Sequence, residues 1–192
     1  MKKFNLLFVA LIGASALTFT SCTDECKDVV CENGGTCDEE TGACDCPANF
    51  YGESCETECI NGTYSGGACS CDDGYEGDAC GVEQREKFLG SYRSTTDCLS
   101  ATYASTVGVS NTDVTKIIFS NLGNGGITAT ATVTGSTSFS FDGNSTTDSF
   151  GDNVTITGSG NVNADGNQIQ ASVTYTFEGF LPNTCVETFN VQ

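Results

Sequence analysis

Ten cysteines fall between Cys26 and Cys80, and no other feature of the 192-residue chain limits its fold so tightly. The first six are spaced Cys26-x4-Cys31-x5-Cys37-x6-Cys44-x-Cys46-x8-Cys55, and four more follow as Cys59-x9-Cys69-x-Cys71-x8-Cys80. A segment this short cannot bury enough apolar surface to fold unaided, so outside a reducing cytosol its cysteines form a disulfide framework. Spacing alone leaves fifteen pairings of the first six open. The two Cys-x-Cys steps raise zinc as the alternative, but zinc sites usually show Cys-x2-Cys spacing and an exported chain favours oxidation.

The residues between the cysteines narrow the choice. Glu32-Asn33-Gly34-Gly35-Thr36-Cys37, the Cys44-x-Cys46 step and Cys46-Pro47-x-x-Phe50-x-Gly52-x-x-Cys55 together resemble the epidermal-growth-factor-like (EGF-like) module. That family joins first with third, second with fourth and fifth with sixth cysteine. The resemblance therefore implies Cys26 with Cys37, Cys31 with Cys44, and Cys46 with Cys55. Asn49 stands where the family usually has glycine, a substitution suited to a positive φ. Cys59-Ile60-Asn61-Gly62 and Cys69-x-Cys71-Asp72-Asp73-Gly74-Tyr75-Glu76-Gly77-x-x-Cys80 resemble a second module lacking its first and third cysteines, which are partners in the family. The implied bridges are Cys59 with Cys69 and Cys71 with Cys80. The modules are expected over residues 26–56 and 57–81.

The preceding segment has the form of an export signal. Residues 1–21 begin with Lys2 and Lys3, then carry an apolar run broken by Gly13 and small residues, too short for a membrane span. Leu17-Thr18-Phe19-Thr20-Ser21-Cys22 resembles the lipobox of bacterial lipoproteins, with Phe19 in place of the commoner aliphatic residue. The resemblance implies cleavage before Cys22, a diacylglyceryl group on its thiol and an acylated amine. Residues 22–25 would be the lipidated tether, in the outer membrane or on the cell surface of a Gram-negative bacterium. Cysteine number agrees: reserving Cys22 from the total of 13 leaves an even set. Ordinary secretion, with Cys22 free or bridged to another chain, is the alternative. Several acyl chains anchor stably, at about 0.8 kcal/mol per buried methylene.

Without the leader and its two lysines, the formal charge of −18 becomes −20. Residues 22–81 hold fifteen carboxylates and one lysine. Such a surface repels nucleic acid and anionic headgroups. The candidates for calcium are Asp24 and Glu25, ahead of the first cysteine, and Asp142, Asp148 and Asp152 in the polar stretch 142–153. Hard cations need six to eight converging oxygens. Gly42 stands where calcium-binding EGF-like modules carry an aromatic residue, so a solvated acidic face is expected and no metal or other cofactor is assigned.

Residues 82–87 read as a charged connector, and beyond them the composition changes to Thr, Ser, Gly and Val in strict alternation. Leu99, Ala101, Tyr103, Ser105, Val107 and Val109 share one face. Ile127, Ala129, Ala131 and Val133 share another, as do Val154, Ile156, Gly158, Gly160 and Val162, and Ile169, Ala171, Val173, Tyr175 and Phe177. A period of two with β-branched residues on the wet face predicts half-buried antiparallel strands. Strands at 88–93, 114–122, 137–141 and 186–191 bring the number to about eight. Turns are expected at Asn124-Gly125-Gly126, Asp142-Gly143-Asn144, Asp165-Gly166-Asn167 and Pro182-Asn183.

The predicted fold is thus all-β: EGF-like repeats, then an antiparallel barrel or flattened sandwich over 88–192, because closure removes exposed edges. Phe88-Leu89-Gly90-x-Tyr92, with Cys98 early and Cys185 late, resembles C-terminal domains of small bacterial surface lipoproteins, some of them lipocalin-like. A Cys98 to Cys185 bridge would tie the first strand to the last; two buried thiols are the alternative. The chain has no histidine, the commonest general base and metal ligand, and no catalytic residues are assigned. Two functions are left: a non-catalytic surface module for protein or glycan, or a calycin-like carrier of a small apolar ligand. The small inward residues at 101, 129, 131, 158, 160 and 171 either open a pocket or let two sheets approach, and close approach is favoured because dry interiors are usually filled.

Overall fold

The computed structural model describes residues 25–192; the leader, Cys22 and Asp24 lie outside the described residues. The fold is all-β. Its N-terminal part is a chain of small hairpins: Thr36–Cys37 with Cys44–Asp45, Phe50–Tyr51 with Thr57–Glu58, Gly62–Ser65 with Ala68–Cys71, and Tyr75–Glu76 with Val82–Glu83. Disulfides join Cys26 to Cys37, Cys31 to Cys44, Cys46 to Cys55, Cys59 to Cys69, and Cys71 to Cys80. Asn49 has φ +70°, the left-handed backbone that asparagine tolerates best after glycine. The first and second cysteine groups pack on each other through stacked rings of Tyr51 and Tyr64, 5.1 Å apart, and the Tyr51 hydroxyl donates to the Asp78 carbonyl at 2.8 Å.

The C-terminal part is a closed antiparallel barrel. Its strands are β1 (Gly90–Thr96), β2 (Leu99–Val109), β3 (Lys116–Leu122), β4 (Ile127–Val133), β5 (Ser138–Phe141), β6 (Ser145–Thr147), β7 (Asn153–Val162), β8 (Gln168–Phe177) and β9 (Asn183–Val191). Each pairs with its neighbour in sequence, except that β5 and β6 lie end to end along the same edge of β7. They form one broken stave, so the barrel has eight. It closes where β9 pairs with β1, Glu187 opposite Thr96 and Val191 opposite Tyr92.

The structure departs from expectation in several places, among them the start of the last strand at Asn183 rather than at 186. Residues 84–88 form a short 3-10 helix, so β1 starts at Gly90 rather than at Phe88, and the connector is structured. Asp142-Gly143-Asn144 does not reverse the chain. Its position between β5 and β6 only kinks the stave, and the reversal falls at residues 148–152, where Asp148 Oδ1 accepts the backbone N–H groups of Phe150 and Asp152 at 2.9 Å. Local composition cannot tell a kink from a turn when both use Asp, Gly and Asn. Finally, the β1–β2 register shifts between Leu99 and Thr102, so Leu99 lies half exposed at the rim while Tyr103, Ser105 and Val107 point inward.

Barrel alternation puts apolar residues inside and threonine and serine outside, the reverse of a membrane barrel with its lipid-facing apolar band. Most of the interior is filled by rings. Phe119 packs against Phe139, Phe141 and Phe189 with centroids 5.0, 5.2 and 5.4 Å away, and Phe88 meets Phe139 edge-on. Two of the small inward residues differ in what they meet: a Cβ on Gly160 would overlap the Phe139 ring, and one on Gly158 would overlap the Ser172 backbone of the neighbouring strand.

Candidate functional site at the barrel mouth

The two ends of the barrel differ. At the end bearing loops 110–115 and 134–137, the EGF-like part is fastened down. Arg85 donates from Nη1 to the carbonyls of Ser110 and Asp113 at 2.8 and 3.1 Å, and its Nε pairs with Glu83 at 2.7 Å. Lys87 donates to the Ser136 carbonyl at 3.0 Å and pairs with Glu76. Gly74 approaches Val114 so closely that a Cβ would come within 2.9 Å of its Cγ1.

The opposite end opens. The turns at 97–98, 123–126, 148–152 and 178–182 surround a pocket of about 220 Å³ that reaches down to Glu187. Leu99, Ile127, Tyr175, Phe177 and the Cys98–Cys185 disulfide give it an apolar wall, and Asp148 and Asn183 stand at its rim. That disulfide ties the β1–β2 turn to β9, and Val186 N–H donates to Asp97 beside it at 2.7 Å. Gly123 has φ +61°, and a Cβ there would come within 2.9 Å of the Tyr175 hydroxyl, so glycine lets the turn reach the pocket floor.

Glu187 is wholly buried. The Tyr103 hydroxyl donates to its Oε2 and the Tyr175 hydroxyl to its Oε1, the latter at 2.7 Å. Among the described residues no buried side-chain polar atom lacks a partner, so this triad is satisfied. Burial raises both phenol pKa values far above the ordinary 10.0. The Glu187 carboxylate raises them further, while a backbone hydrogen bond at Gly123 works the other way on Tyr103. No lysine or arginine lies on these four turns or in the pocket wall.

The sequence-based cation candidates separate. Asp142 is bound to Lys116 Nζ at 2.6 Å and to the Thr132 hydroxyl at 2.5 Å, Asp148 orders its own turn, and Glu25 is exposed. Among the described residues Asp142, Asp148 and Asp152 do not converge on a common point. The one group of metal-like proximity among the described residues, Asp97, Cys98 and Cys185, has both sulfurs in the disulfide and no thiolate to offer. Glu187 was not among the residues singled out from sequence. Its signal was there: on β9 it shares parity with Cys185 and Phe189, which marks an acid on the inward face.

Residues 22–55 match the EGF-like domain. A stretch of 47 residues is 43% identical to the Angiopoietin-1 receptor of Danio rerio, covering 24% of this chain and 4% of that receptor. No solved structure matches the chain. An EGF-like domain with its disulfides suggests an extracellular or cell-surface protein and a non-catalytic binding module.

Proposed function

We propose that this chain is a lipid-anchored surface protein of a Gram-negative bacterium that offers the mouth of its barrel to an extracellular protein or glycan. The observation that carries this reading is polarity. The EGF-like part is fastened to one end of the barrel, and the other end bears exposed Phe150, Phe180 and Leu181 on the two loops whose bases line the pocket. Large apolar side chains grouped on exposed loops are characteristic of contact surfaces. Palmitate labelling of the intact chain in a Gram-negative host tests the anchor: Cys22→Ser should abolish label and release the protein from the membrane fraction. Screening protein and glycan arrays tests the mouth, where changing Phe150, Phe180 and Leu181 together to Ser should remove binding. Label retained by Cys22→Ser, or binding unchanged by the triple substitution, would contradict the respective half.

A second reading makes the barrel a carrier of a small ligand. It is favoured by one feature, the pocket of about 220 Å³ with a buried carboxylate at its base. A cavity of about 150 Å³ accepts a benzene ring, so the space suits a group slightly larger than that.

A further inference from the structure

We infer that the mouth pocket takes a small organic cation, a protonated amine on a compact apolar body, with its ammonium directed at Glu187 and its body against Leu99, Ile127 and Phe177. This rests on the carrier reading and names the class of ligand. Three independent observations converge. First, Glu187 is a buried acid whose side-chain partners among the described residues are two phenols and no cation. Burying a carboxylate without a counter-charge is costly, and a cationic ligand relieves that cost. Each carboxylate oxygen can accept twice, so one phenol apiece leaves acceptor capacity for an ammonium, which reaches the wholly buried carboxylate by shifting the phenols that cover it.

Second, among the described residues every titratable group on the pocket wall and its four turns other than the phenols is an acid. Asp148 is on its rim, while Asp97, Asp152 and Glu178 stand on the surrounding turns. Among the described residues the basic side chains lie elsewhere: Arg85 and Lys87 fasten the stalk at the other end, Lys116 is paired with Asp142, Arg93 is exposed on the outside of β1, and Lys27 belongs to the stalk. A low-dielectric funnel lined by one sign of charge concentrates the opposite sign and excludes fatty-acid-type anions. Third, the remaining wall is apolar and includes the rings of Tyr175 and Phe177, which can receive a cation on their faces.

Calorimetry on the intact chain with three probes of nearly equal shape tests the assignment: phenethylamine, phenethyl alcohol and hydrocinnamate. The amine should bind, the alcohol should bind about ten- to a hundredfold more weakly, and the carboxylate should not bind. Glu187→Gln, checked for folding by near-ultraviolet circular dichroism, should erase the difference between amine and alcohol. Asp148→Asn, which keeps the acceptor that orders its turn, should weaken the amine by up to about fivefold. Leu99→Trp, a change at a half-exposed rim position, should block both. Equal binding of amine and alcohol to the unaltered chain would overturn the cation assignment and leave the carrier reading standing. Amine binding that survives Leu99→Trp would place it on the acidic stalk and overturn the site. Failure of both amine and alcohol to bind at millimolar concentration would overturn the assignment and the carrier reading together.

Discussion

At the residue scale, the most consequential side chains are three phenols and one carboxylate. Burial raises the pKa of Tyr92, Tyr103 and Tyr175 above the ordinary 10.0, and Glu187 adds to the last two. For an acid held protonated by the fold, the native state keeps a proton that the unfolded chain loses near pH 10. Its contribution to stability is therefore complete below that pH and drains away as pH rises toward the higher native value. The urea midpoint should be nearly flat through neutrality as far as these phenols contribute, and should fall between about pH 9 and about pH 12. Tyr103→Phe with Tyr175→Phe should remove most of that fall while lowering neutral stability by about 1–3 kcal/mol per lost partner of the buried carboxylate. A fall in the midpoint unaltered by the double substitution would assign the alkaline sensitivity to other groups.

At the element scale, the barrel depends on how its ends are closed. The β9–β1 ladder supplies backbone closure, and the Cys98–Cys185 disulfide, spanning 87 residues, supplies covalent closure at the mouth. A bridge over so long a loop removes much freedom from the unfolded chain. Changing both cysteines to alanine should cost up to about 4–5 kcal/mol in urea unfolding while the far-ultraviolet spectrum stays β-rich. It should also free the 97–98 turn and so the pocket wall. The broken stave shows a second way elements are set: Asp142, bound to Lys116 and Thr132, pins the kink between β5 and β6 to the barrel wall. Here a polar residue in turn-like company serves the interior of a stave, which local patterning does not reveal.

At the scale of the whole molecule, what matters is which end of the barrel faces outward. Arg85, with little side-chain exposure, ties the connector to two carbonyls of loop 110–115, and Lys87 reaches the next loop. Arg85→Ala should detach the stalk without unfolding the barrel, read as faster limited proteolysis within residues 82–89 with the urea midpoint of the barrel shifted by under about 1 kcal/mol. Unchanged cleavage would mean that the Gly74–Val114 packing alone holds the junction. With the mouth turned away from the stalk, the acid-lined pocket and the exposed loops are the surfaces presented farthest from the EGF-like part.

The sequence by itself determined the class of fold: cysteine spacing demanded a cross-linked N-terminal part, and a period of two over a hundred residues demanded sheet. Alternation identified most inward residues because side-chain direction in a strand is a local property. Only the tertiary structure decided what those residues meet. Whether small inward residues leave a void depends on rings from other strands, as Gly160 does on Phe139. Glu187 becomes the floor of a site only because β2, β8 and β9 bring Tyr103, Tyr175 and Glu187 to one level of a closed barrel, across separations of 84 and 12 residues. Such meetings are set by register and closure, which no short window of sequence contains.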